Sequence, residues 1–337
     1  MAIKRILTFP GQGHSLSQEY LRSLQSSYDL TIFKEILSNR ISTSFTNRLL
    51  QERENYNPSN FLGKTSNSQP AIVGLSSLIT SKLKEHDIDI KPDYLIGHSL
   101  GELSTFLYND IIDIDLGLYL ARKRGKYMEQ CIKKGGERKK TRKKFGLFAV
   151  LIPRATPNGP EIVQEGIDEH FKDLIYISNI NSERQIVISG DIESLKIFGQ
   201  ILKKTHGLKL IKLTADVPFH SPYLREAEEK FTDLIAKVGL LKEKSLLKYP
   251  IISNIDGKVI SEATEALLGF TRCFTKPVQF AKSIQQLNEG DDKYRFINLG
   301  PNGNVIQGLV KSNLRDDKII ENEVLQTPEE IASFKLR

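Results

Sequence analysis

The stretch "DYLIGHSLGELSTFLYND", residues 93–110, runs from a short apolar strand into a helix through a turn centred on one serine. Gly97 and Gly101 lie two residues before and after Ser99. That is the spacing of a nucleophile elbow, where a strand end and a helix start meet so sharply that the serine hydroxyl stands clear of both. The apolar run Tyr94–Ile96 leading into the turn, and helical sequence directly after it, predict Ser99 at the carboxyl end of a strand in an α/β fold. Adjacent His98 points away from the serine at such a turn, which argues against direct proton transfer between them. Esterases, peptidases and acyl transferases all use this elbow, so the acyl group and its destination must be read elsewhere.

Outward from the elbow, Arg5–Phe9 reads as a strand ended by Pro10-Gly11-Gln12-Gly13, with polar, irregular sequence to about residue 66. Gln69–His86 reads as a helix with Pro70 in its first turn, and a second helix runs from about Asp115 to Cys131. Strand, helix, strand, helix in this order predicts a mostly parallel sheet covered by helices. Beyond a basic run the grammar changes: strand 145–152, helix 160–171, strands 174–179 and 185–189, helix 192–205 and strand 208–213. That β-α-β-β-α-β order is ferredoxin-like. Residues 134–213 therefore read as a small inserted domain, and 1–133 with 214–337 as one discontinuous core domain.

With 39% hydrophobic residues in 337, the chain can bury a sizeable core. Two cysteines, Cys131 and Cys273, point to neither a disulfide framework nor a metal cluster, and a reducing intracellular compartment is expected. There is no apolar run of membrane-spanning length and no signal-peptide core. The net charge of +7 is local: residues 133–144, "KKGGERKKTRKK", hold eight Lys/Arg and one Glu, leaving the rest formally neutral. Such a block is a solvated loop or a docking patch for an acidic partner. Nucleic acid is disfavoured, because no aromatic side chain interleaves the lysines as a stacking surface.

A serine nucleophile needs a base, an oxyanion hole and a means of choosing its acyl group. Of the six histidines, His86, His170 and His206 fall at helix ends, while His14 lies in the Gly-rich N-terminal loop as a candidate pocket wall. His220, in "DVPFHSPYL" beyond a strand end, is the candidate base. No acid announces itself as a third triad member; Asp216 is close in sequence but doubtful in reach, and a backbone carbonyl could orient the imidazole as well. The Leu100 amide, at the helix start, and an amide of Gln12 in "FPGQG" are candidate oxyanion donors. Arg124 shares a helical face with Met128 and Leu120, an apolar setting in which a guanidinium wants an acid partner; Arg122, Lys123 and Lys126 read as surface charge.

Together these segments resemble the malonyl-CoA:acyl carrier protein transacylase family: "TFPGQG" (8–13), "SQPAIV" (68–73), "GHSLGE" (97–102), "KRGKYMEQ" (123–130), "NINSERQIVISG" (179–190), "DVPFHSPYL" (216–224), "KPVQF" (276–280) and "LGPNGNVI" (299–306). "IPRATP" (152–157) further resembles the fungal mitochondrial form, which implies a mitochondrial matrix location. The resemblance implies a hydrolase-like parallel-sheet core with the ferredoxin-like insertion. It also implies that Ser99 is acylated, that His220 is its base and that Arg124 grips the malonyl carboxylate. Gln12 and the Leu100 amide would form the oxyanion hole, and the Gln279 backbone carbonyl would orient the histidine. Gln69 and Asn181 would line the pocket; His14, from its place in the Gly-rich loop, and Phe219, from its size beside the base, are further expected walls, with Phe219 narrowing the pocket against a methyl branch.

No cofactor or metal is implied, since the CoA thioester is a substrate. The expected partners are malonyl-CoA and an acyl carrier protein, the latter docking on residues 133–144. The rival readings are a serine hydrolase or thioesterase, transfer of an acetyl or methylmalonyl group instead, and a non-catalytic binding module.

Overall fold

The structure is a computed structural model that describes residues 2–13, 16–51, 58–138, 144–242 and 245–336. Its larger sheet has six strands in the order β10-β9-β1-β2-β7-β8. In chain order these are β1 (Ile3–Phe9), β2 (Tyr94–Gly97), β7 (Leu246–Ile252), β8 (Val259–Glu262), β9 (Lys293–Leu299) and β10 (Ile319–Leu325). All neighbours pair in parallel except β7 and β8. Alternate residues of the central strands enter different cores: Leu7, Phe9 and Leu95 pack on one face, Ile6 and Ile96 on the other. Burial on both faces is what a parallel sheet covered by helices requires.

The smaller sheet has four antiparallel-paired strands: β3 (Phe145–Leu151), β4 (Ile175–Ser182), β5 (Gln185–Asp191) and β6 (Lys209–Lys212). Their spatial order is β4-β5-β3-β6, and helices Gly159–His170 and Ile192–His206 complete the β-α-β-β-α-β sequence. The helices share a core with it through Val163, Ile167, Leu195, Phe198 and Leu202. The small sheet is tied to the segment before helix Phe280–Gln285 at Val278, which takes an N–H from Ile180 (2.8 Å) and gives its own to the Ser178 carbonyl (2.9 Å).

Three stretches differ from the sequence expectation. The described residues between 16 and 64 are largely helical rather than irregular: helices Gln18–Ser27, Thr31–Arg40, Thr43–Leu49 and Ser59–Leu62 lie there. Their apolar residues are sparse but at helical spacing, and Leu21, Leu24, Phe33, Leu37, Phe45 and Leu49 build a core of their own. The next helix spans Thr65–Glu85, so Pro70 sits inside it rather than in its first turn. Proline at 70 removes the N–H that the Ser66 carbonyl would accept, and the Arg122 guanidinium fills that vacancy at 2.8 Å. Arg122, expected as surface charge, is therefore a structural donor, half-buried over the Phe45 ring. Finally, the helix expected to end at Cys131 continues as Ile114–Arg138, so the basic run begins as helix; residues 139–143 lie outside the described residues.

Two glycines make the elbow possible. A Cβ at Gly97 would stand 2.1 Å from the Glu102 nitrogen, and one at Gly101 2.2 Å from the Phe9 carbonyl oxygen. The strand and helix meet closer than any side chain allows, and Ser99 is left at φ +51°. Left-handed backbone costs a residue with a Cβ about 1–2 kcal/mol. The glycine contacts force the turn, and the turn presents the serine.

Candidate active site

Ser99 and His220 come together across 121 residues of sequence, with Ser99 Oγ 2.8 Å from His220 Nε2. Both are buried, and His220 also has left-handed backbone, at φ +56°. The other ring nitrogen, Nδ1, meets the backbone carbonyl of Cys273. A carbonyl can only accept, so Nδ1 carries the proton and Nε2 presents its lone pair to the serine hydroxyl. The tautomer required of a general base is fixed by geometry.

The orienting carbonyl belongs to Cys273, which corrects the expectation of Gln279. Cys273 follows the last turn of helix Ala263–Arg272, where carbonyls lack partners within the helix. Gln279 instead caps helix Phe280–Gln285, and its carbonyl accepts the Ser283 N–H at 3.0 Å. Asp216 is exposed and borders a different cavity. Burial and the nearby Arg124 charge press the His220 pKa down from 6.5 to about 3. At neutral pH the imidazole is uncharged and ready to accept a proton.

Two residues that sequence reasoning missed hold the elbow from behind. Asn254, fully buried, donates its side-chain amide to the Gly97 carbonyl and accepts the Ser99 N–H at 3.4 Å. Its backbone N–H goes to the Glu102 carboxyl at 3.1 Å, and its carbonyl accepts the Gln279 N–H at 2.6 Å. Glu102 is buried, and desolvation lifts its pKa to about 7; its other oxygen lies 3.8 Å from Cys273 Sγ. The sequence signal for Asn254 was a polar residue directly after the apolar strand end "PIIS"; nothing in its spacing tied it to Ser99.

The sequence expects oxyanion donors at Leu100 and Gln12. Among the described residues, neither the Leu100 nor the Gln12 backbone N–H has a hydrogen-bonded acceptor. Leu100 opens helix Gly101–Tyr108, so its amide carries the positive end of that helix. The Gln12 side chain is engaged, 3.4 Å from both Thr65 Oγ1 and Gln69 Nε2. Gln69 is buried and lines the pocket as expected.

Arg124 is 2% exposed and packs over the Phe270 and Phe274 rings at 5.2 and 4.9 Å. Its Nε and Nη2 have no hydrogen-bond partner among the described residues. Burial lowers its pKa from 12.5 to about 10, which leaves it charged at neutral pH. A buried guanidinium with idle donors is costly in isolation. Its fork matches a carboxylate, and it borders the same cavity as Ser99 and His220.

That cavity holds about 100 Å³, and part of its wall is apolar, with Leu147, Ala149 and Val187 from the small sheet, Leu213 just after β6 and Phe219 beside the base. Asn181 also borders it, accepting from His98 Nε2 at 2.9 Å, while the His98 ring packs on Phe280. His98 is thus turned away from Ser99 Oγ, as the elbow predicted. His14 lies outside the described residues, and His86, His170 and His206 sit at helix ends. No cluster of metal-ligating side chains occurs among the described residues.

The sequence profile of the acyl transferase domain family matches residues 18–326. A malonyl CoA-acyl carrier protein transacylase of Bacillus subtilis (strain 168) is 30% identical over 256 residues, 76% of this chain and 75% of the relative. The crystal structure of a malonyl CoA-acyl carrier protein transacylase from Clostridium perfringens superposes with a TM-score of 0.77 at 25% identity, covering 98% of this chain and 95% of that one. A malonyl-transacylase solved in complex with its type II PKS acyl-carrier protein shares the fold, with a TM-score of 0.81 at 21% identity over 98% of each chain.

Because His220 is held near pKa 3, the reactivity of Ser99 is expected to be insensitive to mild acid. Inactivation by a sulfonyl fluoride should slow less than about 3-fold between pH 7 and pH 5, whereas a base at the ordinary ~6.5 would lose about 25-fold. Repeating the series in Glu102→Gln removes the buried carboxyl that titrates in that window. A 25-fold fall in both proteins would mean that the base titrates as a solvated imidazole.

Proposed function

The chain belongs to the malonyl CoA-acyl carrier protein transacylase family of acyl transferase domains, and we propose that it moves malonyl groups from malonyl-CoA to the phosphopantetheine thiol of an acyl carrier protein, for fatty acid synthesis. The observation that carries this reading is Arg124: a charged guanidinium with unpaired donors on the wall of a serine–histidine cavity. An acyl group bearing its own carboxylate would satisfy those donors; an acetyl group would leave them idle.

The transfer proceeds in two halves. In the first, Ser99 Oγ attacks the thioester carbonyl carbon while His220 Nε2 takes its proton. Negative charge then grows on the carbonyl oxygen, where the Leu100 and Gln12 N–H groups can receive it; one such donor is typically worth about 10²–10³ in rate. Collapse breaks the carbon–sulfur bond, and the departing CoA sulfur takes the proton from His220. The second half is the mirror of the first: the carrier's thiol gives its proton to His220 and attacks the ester, and Ser99 leaves with the proton restored. No step calls for a cofactor. Phe219, beside the base, restricts the room for a methyl branch and favours malonyl over methylmalonyl.

Residues 133–144 supply the positive charge that an acidic carrier would meet, and residues 134–213 act as a small domain roofing the pocket. The resemblance of "IPRATP" to the fungal mitochondrial form supports a matrix location, and uptake of the full-length protein by isolated mitochondria, protected from added protease, is the expected result.

Intact-mass and peptide analysis after incubation with malonyl-CoA alone should show one malonyl adduct, on Ser99, that carrier thiol discharges far faster than water does. Discharge by water at the same rate would make the protein a hydrolase. Arg124→Ala should slow acylation by malonyl-CoA about 10–100-fold, the worth of hydrogen bonds to a charged group, while acetyl-CoA changes little. An unaltered malonyl-to-acetyl ratio would remove Arg124 from the carboxylate site. Replacing the lysines and arginines of 133–144 by glutamine should raise KM for the carrier but not for malonyl-CoA, with the difference vanishing at high salt.

A further inference from the structure

Two serines of the small sheet, Ser178 on β4 and Ser189 on β5, take no part in the chemistry above and are fully buried. Their hydroxyl oxygens lie 2.7 Å apart, and both reach the backbone carbonyl of Phe219, Ser178 at 2.7 Å and Ser189 at 3.1 Å. Two hydroxyl protons serve three contacts. Either both point at the carbonyl, or one is relayed through the other oxygen; the carbonyl is bonded in each arrangement.

Strand alternation sets Ser178 on the face of Tyr176, the cross-strand partner of Ser189. The pairing of β4 with β5 shifts register between Ile177 and Asn179, which leaves Ser178 as the extra residue of a bulge. A bulge interrupts the ladder. Here the side chain meets the loop before the base, and the Ser178 carbonyl is released to accept the Val278 N–H. One residue joins the small sheet both to the core and to the catalytic loop.

The Phe219 carbonyl and the His220 N–H belong to one rigid peptide plane. Pinning that oxygen limits rotation about the bond that sets His220 φ at +56°, a conformation unfavourable for any residue with a Cβ. The rest of the loop is also tied down: Val217 carbonyl accepts the Phe219 N–H at 2.8 Å, and Ser221 Oγ donates to the Pro218 carbonyl at 2.5 Å. The serine pair is the part of this clamp supplied by the small sheet.

We propose that Ser178 and Ser189 are positioning residues for the base, holding His220 in its left-handed conformation so that Nε2 faces Ser99 Oγ. The inference rests on the reading of His220 as the base. It gives the small sheet a role in the rate of the chemical step, beyond that of a pocket wall.

The test is a double-mutant cycle on the full chain, with single-turnover malonylation of Ser99 followed against malonyl-CoA concentration. Because the two hydroxyls share one acceptor, Ser189→Ala should change the saturated rate by less than about 3-fold, and Ser178→Ala, which removes the shorter contact, by about 3–10-fold. The double variant should lose about 10–100-fold, more than the product of the singles, with half-saturation unchanged. Ser189→Thr in the Ser178→Ala background, which restores the hydroxyl where alanine removed it, should recover most of the double variant's loss.

A folded double variant with a wild-type saturated rate, or one whose loss lies wholly in half-saturation, overturns the proposal. If the double variant does not melt cooperatively, Ser178→Ala decides alone, and a rate within about 2-fold of wild type overturns it. Absence of any Ser99 adduct in the wild-type protein would instead overturn the underlying reading, which keeps the two failures apart.

Discussion

A 2.8 Å contact joins two residues that both sit in left-handed backbone, and the rest of the site is arranged to keep them there. Neither Ser99 nor His220 would adopt such a conformation unaided, since each costs roughly 1–2 kcal/mol for a residue with a Cβ. On the serine side the constraint is steric: Gly97 and Gly101 let strand and helix meet closer than side chains permit, and Asn254 closes the turn with hydrogen bonds to both of its arms. On the histidine side the constraint is polar. The Cys273 carbonyl holds one ring nitrogen, and the loop carbonyls of Pro218 and Phe219 just before His220 are both bonded. A nucleophile built this way needs no rearrangement of its backbone to meet its base.

The second constraint is electrostatic. Arg124 is buried with donors unpaired, and Glu102 is buried with its pKa lifted to about 7, both because charge is expensive away from water. The two are not equivalent. Glu102 has its hydrogen bonds from Asn254 and Cys273, and serves to fasten the elbow to the loop behind His220. Arg124 has only aromatic faces under it, which supply modest attraction and no acceptor. A folded protein retains an unsatisfied guanidinium where a ligand is to complete it, and this one faces the serine's cavity.

Much of this was legible in the sequence because it depends on local geometry. The elbow declares itself through two glycines at fixed spacing, and the ferredoxin-like order through alternating strand and helix periodicity. Arg124 stands out because it is a cation on an apolar helical face. What escaped depends on distance. Cys273 and Gln279 are six residues apart, both follow a helix terminus or precede one, and only the packing of helix Ala263–Arg272 decides which carbonyl meets the imidazole. Asn254 carries no local sign that it reaches across to Ser99. Helices between residues 18 and 62 were hidden because each is short and presents only two or three apolar residues to a shared core.

A carbonyl rather than a carboxylate behind His220 suits a reaction whose two outside partners, the departing and the arriving group, are both thiols. A carboxylate partner would stabilise the imidazolium and raise the histidine's basicity; a neutral carbonyl in a dry site does so far less, and the pKa is driven to about 3. Such a base holds a proton briefly and gives it up readily. An amine can depart only once it is protonated, whereas a thiol ionises near pH 8.5 and leaves as thiolate with little help. The incoming thiol, which ionises near the same pH, gives up its proton more easily than an alcohol or water would. Ser99 is the least acidic of the exchanging groups, and its proton transfer relies on the fixed contact with Nε2 and on the oxyanion donors; a more basic histidine would instead draw a resting proton into a pocket already holding the charge of Arg124.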